Sequence, residues 1–357
     1  MMNTERIRPG HAGTGRSNPT LEDIATAAGV SRSTASRAIN GGDRVSPQAQ
    51  AAVDAAVVEL GYTPNRAARS LVTRRTSSIA LVIPEPDIRI MADPFFAVII
   101  TGITDALRET DVQLVLLMSR NGDDSGRVLR YLRGGHVDGA IVVSHHRDDP
   151  WTTSLPGTGL PTVFIGRPWE ARPGVPYVDT DNYQGGRLAA QHLAAGGRTR
   201  VGTVAGPADM TAAADRLAGW REGLREAGLA EGTVVHADFT TVGGQEAALR
   251  LFEEAPELDG VFAASDLMAL GVLEAVRRRG RSVPEDVAVV GYDNHALSAT
   301  AVPPLTTVTQ PMSAMAATAC RILLEEIDSP GARPAPFIYP AELVVRESSG
   351  GRRLSAP

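Results

Sequence analysis

The sequence predicts an α/β protein: a small helical head, a short hinge helix, and a larger two-lobed body built on two doubly wound parallel sheets. Three observations carry this expectation. The 357 residues exceed what one hydrophobic core usually organises. Capped helical segments separated by glycine turns fill residues 20–61, and from Ser78 onward strand-sized apolar runs alternate with amphipathic stretches. A composition of 43% hydrophobic and 21% charged residues excludes a disordered or collagen-like chain.

The head comes first. Thr20 can cap a helix whose apolar residues Leu21, Ile24, Ala25 and Ala28 follow 3.6-residue spacing, with Glu22 and Asp23 in the favourable first turn. Gly29 stops it, and Ser31 caps a second helix reaching about Ile39, the arrangement of a helix-turn-helix. Gly41-Gly42 breaks that helix, and Ser46-Pro47 opens a third that runs through Val53, Val57 and Leu60 to Gly61. In such a unit the second helix enters the major groove of DNA, so its outward side chains Arg32, Ser33 and Arg37 are candidates for reading base edges. Ala35, Ala38 and Ile39 lie on the inward side.

Charge supports a polyanion partner. Overall the chain carries −6, with 35 basic residues, all arginine. Residues 1–76 hold ten arginines against six acids, a net of +4, and the remainder carries −10. A basic head on an acidic body creates a local potential that attracts phosphates.

After the head, Thr63-Pro64 starts one more helix of about two turns, too short to be stable without a partner. At this point the chain resembles the lactose-repressor family of bacterial transcription regulators. The resemblance rests on Leu21-Glu22-Asp23-Ile24-Ala25, Ala28-Gly29-Val30-Ser31, Thr34-Ala35-Ser36-Arg37, Gly61-Tyr62-Thr63-Pro64-Asn65 and Ala68-Arg69-Ser70-Leu71, in the family's order and spacing. It implies that paired hinge helices of a dimer enter the minor groove and that Leu71 wedges between base pairs. It also implies that Thr20, Asn40, Arg44, Ser46, Tyr62 and Asn65 hold phosphates and fix register. Ala35 stands where the family more often has valine.

In the body, Ile79 to Ile83, Val112 to Met118, Gly139 to Val143, Thr162 to Ile165, Val201 to Ala205, Gly260 to Ala264 and Val287 to Gly291 read as continuous buried strands. Phe95 to Glu109, Ser125 to Arg133, Tyr183 to Ala195, Ala213 to Ala227, Gly243 to Glu254, Asp266 to Arg279 and Ser313 to Glu326 read as helices between them. Ligands in such folds sit beyond the carboxyl ends of the strands. The loops there contain no phosphate-binding loop, nucleophile elbow or H-E-x-x-H helix, so neither an enzyme nor a bound cofactor is expected. His145-His146-Arg147-Asp148-Asp149 follows a strand but reads as a polar rim loop, since adjacent residues rarely converge on one metal ion. Phe95 and Phe96 can present flat apolar faces, Arg167 and Arg216 are fork donors, and Asp293 can accept two hydroxyls, which suits a small polyhydroxylated ligand. Arg216 opens a helix against the helix dipole, which favours a functional reason for its presence.

The body also resembles periplasmic sugar-binding proteins and the effector domain of the same repressor family. This rests on Asp93-Pro94-Phe95-Phe96, Ile165-Gly166-Arg167-Pro168, Arg216-Leu217-Ala218-Gly219-Trp220, Asp238-Phe239, Ser265-Asp266-Leu267-Met268, Gly291-Tyr292-Asp293-Asn294 and Leu305-Thr306-Thr307-Val308. The resemblance implies that Phe96 and Phe239 sandwich a sugar ring while Arg167, Arg216, Asp293 and Gln310 bond its hydroxyls. Met210 and Ala212 would then line the wall. Gly166 stands where pentose sites often have Asp, and Ser265 where they often have Asn, so the sugar is left open between mono- and oligosaccharides.

The domain organisation expected is therefore a disordered tail at 1–18, a helix-turn-helix domain at 19–62, a hinge helix and linker at 63–76, a two-lobed effector and dimerisation domain at 77–346, and a flexible tail at 347–357. No secretory signal is legible at Met1 to Asn18 and no apolar run reaches the ~20 residues of a membrane span, so a cytoplasmic, nucleoid-associated protein is expected. The single Cys320 agrees with a reducing compartment. The expected partners are a near-palindromic double-stranded operator, a sugar effector and a second copy of the chain, with a tetramer left open. A sugar-binding protein without DNA-binding role is the alternative, and the basic head argues against it.

Overall fold

A computed structural model describes residues 19–40, 44–62, 75–119, 123–155, 158–170, 174–331 and 335–350. The chain divides into two compact units, Met1–Thr76 and Ser77–Pro357. Asn65 and Leu71, with most of the expected hinge helix, lie outside the described residues.

The first unit holds α1 (Leu21–Ala27), α2 (Arg32–Ile39) and α3 (Pro47–Leu60). Thr20 caps α1 in a capping box, its side chain accepting from the Asp23 amide while the Asp23 carboxylate accepts from the Thr20 amide at 2.8 Å. Ser31 and Ser46 cap the next two helices through the amides of Thr34 and Ala49. Gly61 ends α3 at φ 62°, a left-handed geometry that glycine adopts without steric cost. Ile24, Ala25, Ala35, Ala38, Val53 and Ala56 form the miniature core.

The second unit contains two six-stranded sheets. In the first, β1 (Ser78–Ile83), β2 (Gln113–Met118), β3 (Gly139–Val143), β4 (Thr162–Ile165), β5 (Tyr177–Thr180) and β11 (Phe337–Tyr339) lie in the order β11-β5-β4-β3-β1-β2. In the second, β6 (Val201–Ala205), β7 (Val234–His236), β8 (Gly260–Ala263), β9 (Ala288–Asp293), β10 (Thr306–Thr309) and β12 (Glu342–Val344) lie in the order β12-β10-β9-β8-β6-β7. Pairing is parallel apart from β10 with β12. The covering helices are α4 (Asp87–Ala92), α5 (Pro94–Leu107), α6 (Asp123–Arg133), α7 (Trp151–Ser154), α8 (Asn182–Ala195), α9 (Thr211–Glu226), α10 (Thr241–Glu254), α11 (Asp266–Arg278), α12 (Ala296–Thr300) and α13 (Met312–Asp328).

Each sheet is covered on both faces, which explains the continuous apolar runs of its central strands. The chain passes between the lobes at residues 180–182, 309–312 and 339–342, where β5 leads into α8, β10 into α13, and β11 into β12. α13 packs on the first lobe although it follows a strand of the second.

The strands missing from the sequence reading are short (β5, β7 and β10) or lie at sheet edges (β11 and β12). Residues 347–350, expected to be part of a flexible tail, are instead docked. Ser348 is fully buried, donates from Oγ to the Val289 carbonyl at 2.6 Å and accepts from the Thr306 amide at 2.8 Å.

α8 and α9 pack closely because glycines let their backbones approach. A Cβ on Gly219 would lie 1.8 Å from the Tyr183 carbonyl oxygen, and one on Gly186 would lie 2.0 Å from that of Arg216. Gly219→Ala is therefore expected to destabilise the body by about 1–3 kcal/mol or more through backbone displacement. A melting curve that matches the wild type would refute the tight packing.

Candidate functional site

In the head, Arg32, Ser33 and Arg37 are exposed on α2, on the face opposite buried Ala35 and Ala38. Arg32 makes an exposed ion pair with Glu22 at 3.3 Å, a weak contact that a DNA phosphate or base can displace. Arg37 Nε donates to the Ser33 carbonyl at 3.2 Å, which lays its stem along the helix. Thr20 Oγ1 and Ser46 Oγ accept from the cap amides of Asp23 and Ala49. Asn40 ends α2, donating to the Ser36 carbonyl at 2.8 Å, and Arg44 is exposed at φ 71°. Tyr62 packs at the edge of the small core.

In the body, the two lobes flank a partly open cleft at the carboxyl ends of their strands. From the expected set, Phe95, Met210, Ala212, Arg216, Phe239, Ser265, Asp293 and Gln310 line it. Two expectations need correction. Phe96 is 1% exposed and packs with Ile99 and Ile103 in the core of the first lobe, so it cannot stack on a ligand. Phe95, edge-on to it at 5.2 Å between centroids, faces the cleft instead. Arg167 does not line the cleft either. Its Nη2 forks onto Asp215 of α9 at 2.8 and 2.6 Å, closing the rim between the lobes.

Arg216 organises the interior. With α9 starting at Thr211, it sits in the second turn rather than opening the helix. Its guanidinium donates to Asn182 Oδ1 at 2.8 Å, the Ala264 carbonyl at 2.6 Å and Gln310 Oε1 at 2.5 Å, and stacks on Tyr292 at 3.6 Å. Asp293 Oδ1 lies 3.6 Å from Nη1. Asn182 and Gln310 belong to two of the lobe crossings, so one buried cation ties the hinge strands to the cleft. Asp293 sits at φ 109°, followed by Asn294 at φ 53°. The turn is held by Asp266, which accepts from the His295 amide at 2.8 Å and from Thr307 Oγ1 at 2.6 Å. Burial pushes the carboxyls of Asp293 and Asp266 above the ordinary range, and the negative charge of Asp293 adds to this for Asp266. Burial likewise pushes Asp179, which also lines the cleft, up to about 6.

Sequence reasoning missed Arg89, Asp93, Ser144, Asp179 and Met315 and read His145 only as part of a polar rim loop; all of them line the cleft. Ser144 and His145 directly follow β3, so position after a strand pointed to them; Asp179 was missed with its short strand. The two departures have local causes. Gly166 adopts φ 94°, where aspartate would be strained, and Ser265 caps α11 by accepting from the Met268 amide at 3.2 Å.

The rim carries a second bridge. His146 of the first lobe places Nδ1 2.9 Å from Asp209 Oδ2 of the second and Nε2 3.2 Å from buried Glu85. Burial alone would lower the imidazole, but the bonds and charges of Glu85 and Asp209 prevail and push it up to about 9. His145, buried against Phe164, is lowered by burial to about 4 and stays neutral. Among the described residues no group of three or more His, Cys, Asp or Glu is placed to hold a metal ion.

The His146 bridge is expected to make closure of the lobes depend on pH. Its raised value means that the contribution to the closed form is complete below the ordinary imidazole value of about 6.5 and lost as pH rises through about 9. Effector affinity is expected to fall from pH 7 to 9.5 with a slope of up to about one decade per unit. His146→Gln is expected to flatten it, and an unchanged slope in calorimetric titrations would contradict the bridge.

A basic helix-turn-helix head joined to a two-lobed α/β body with a polar cleft defines a ligand-responsive DNA-binding regulator. Residues 20–65 match the model for bacterial regulatory proteins of the lacI family, and residues 190–349 match the periplasmic binding protein-like domain. The chain is 47% identical over 340 residues to the HTH-type transcriptional regulator CelR of Thermobifida fusca, covering 93% of this chain and 99% of that protein. Among solved structures, a transcriptional regulator CelR–cellobiose complex matches with 45% identity and TM-score 0.74 over 92% of this chain and 99% of that one. A lac repressor dimer bound to operator and the anti-inducer ONPF matches with 26% identity and TM-score 0.83 over 93% and 99%. The chain belongs to the lacI family of bacterial regulatory proteins. It is a transcriptional regulator and not an enzyme.

Among the described residues, no helix is long and apolar enough to cross a membrane.

Proposed function

We propose that this protein is a homodimeric repressor that reads a near-palindromic operator and is switched by a neutral sugar bound between its lobes. The cleft lining carries the effector reading. Asp93, Asp179 and Asp293 outnumber Arg89 and Arg216, and His145 is neutral, so the wall is net acidic around the flat face of Phe239. Such a surface accepts hydroxyl donors and repels phosphorylated or uronic sugars. Cellobiose is the first candidate, because the CelR relative is described in complex with it.

On the DNA side, Arg32, Ser33 and Arg37 read base edges, while Thr20, Asn40, Arg44, Ser46, Tyr62 and Asn65 hold phosphates. Leu71 from each subunit wedges into the minor groove. The dimer is supported by the operator-bound dimeric relative. The head's net charge of +4 gives a steep salt dependence. Sugar binding draws the lobes together through the Arg167–Asp215 and His146–Asp209 contacts and shifts the hinge segments between DNA-competent and incompetent forms.

The test is a panel of neutral mono- and disaccharides alongside sugar phosphates, scored by melting shift and by release of an operator selected from random DNA. Neutral disaccharides are expected to act on both readouts and sugar phosphates on neither. A response confined to phosphorylated sugars would overturn the reading.

A further inference from the structure

Arg89 was not among the expected site residues, yet it lines the cleft from α4, and its side chain is 12% exposed. One end of its guanidinium is fixed: Nη1 pairs with the buried carboxylate of Glu85, one helical turn before it. Its Nε, by contrast, is buried and has no hydrogen-bond acceptor among the described residues. A buried guanidinium N–H without an acceptor is an unfavourable state that a ligand oxygen would relieve. The other guanidinium of the cleft offers less. All three nitrogens of Arg216 already donate to protein oxygens, so its main work is to hold Asn182 and Gln310 in place.

The position of Arg89 also spans the cleft. Its Cζ lies 5.4 Å from the ring centroid of Phe239 on the second lobe and 6.0 Å from that of Phe96 on the first. The planar cation therefore occupies the side of Phe239 that the sequence reading assigned to a sandwiched sugar ring. This leaves less room for a ring stacked flat on that side of Phe239. Glu85 fixes more than Arg89, because it also accepts from Ser144 Oγ at 2.7 Å and faces His146, the residue that reaches Asp209 across the rim. A ligand contact at Arg89 and the closing contact at the rim thus meet on one carboxylate.

We propose that Arg89 is a specificity-determining residue whose Nε–H donates to an oxygen of the bound neutral sugar. The inference rests on the sugar reading above and adds to it the residue that selects among neutral sugars. Geometry set by Glu85 makes the donor directional, so a sugar is accepted only when a hydroxyl, ring or glycosidic oxygen falls in line with it.

Cellobiose and its monodeoxy analogues serve as probes in calorimetric titrations of the full-length protein. R89K keeps a positive charge for Glu85 but removes the directional Nε–H. It is expected to bind cellobiose at least tenfold more weakly than the wild type, with an unchanged melting midpoint in the absence of sugar. At least one deoxy analogue is expected to lose affinity on the wild type and not lose it again on R89K, since both changes delete the same bond. Should R89K lower the unliganded midpoint, Arg89→Gln enters the same comparison in its place. Binding by these variants within twofold of the wild type, with every deoxy penalty retained, would assign Arg89 to structure alone and overturn the proposal. A wild type that answers no neutral sugar would overturn the sugar reading itself, and this inference with it.

Discussion

Replacing Arg216 with alanine is expected to abolish the effector response. The guanidinium holds Asn182 at one lobe crossing, Gln310 at another and the carbonyl at the end of β8, and it offsets Asp293. Without it, these acceptors stay buried and Asp293 loses its nearest cation, a loss of about 3–5 kcal/mol by analogy with other broken buried pairs. Affinity for sugar is expected to fall beyond about a hundredfold, because the polar wall and the hinge geometry fail together. Since the alanine variant risks misfolding, Asp293→Asn provides the companion measurement. It keeps the shape, relieves a carboxyl that burial already holds in an unfavourable state, and is expected to weaken binding without lowering the unliganded melting midpoint. A melting shift with sugar that persists in both variants would place the effector elsewhere.

The second large effect is expected at the DNA. Arg32→Ala and Arg37→Ala each remove a guanidinium from the exposed face of α2, where a bidentate contact to guanine discriminates by about 1–3 kcal/mol. Each variant is expected to lose about tenfold to a hundredfold in operator affinity and to relax preference at one position of each half-site. Leu71→Ala is expected to weaken binding to the same operator without changing base preference. Sites selected from random DNA report this directly. If the selected sequences are unchanged in the arginine variants, α2 does not read bases through these residues.

Much of this was legible in the sequence where periodicity and caps agree. The α1–α3 head follows from Thr20, Ser31, Ser46-Pro47 and Gly61, each of which has one structural role available to it. The central strands β1, β3, β4, β6 and β8 are continuous apolar runs covered on both faces, so length and flanking turns define them. The cleft was legible only in part. Phe95 and Phe96 are adjacent and about 100° apart around a helix, and a sugar-site pattern does not say which faces inward. The stripe Phe96, Ile99, Ile103 and Leu107 did hold that answer, since its spacing marks the buried face of α5. Arg167 depends on the approach of the other lobe, because Asp215 lies 48 residues away in the chain. Arg89 escaped because α4 is a six-residue helix with exposed Ile88 and Met91, too short for a periodic signal. Glu85 and His146 meet across 61 residues and leave no local signature at all.

Sugar binding in the cleft and operator binding at the head are expected to be linked. Titrating the protein–operator complex with cellobiose, for the wild type and for Asp293→Asn, measures that linkage. The expected result is a change of at least about tenfold in operator affinity for the wild type, equivalent to 1.4 kcal/mol of coupling, and little or none for the variant. An operator affinity that stays constant while calorimetry shows the cleft filled would mean that the two sites are uncoupled.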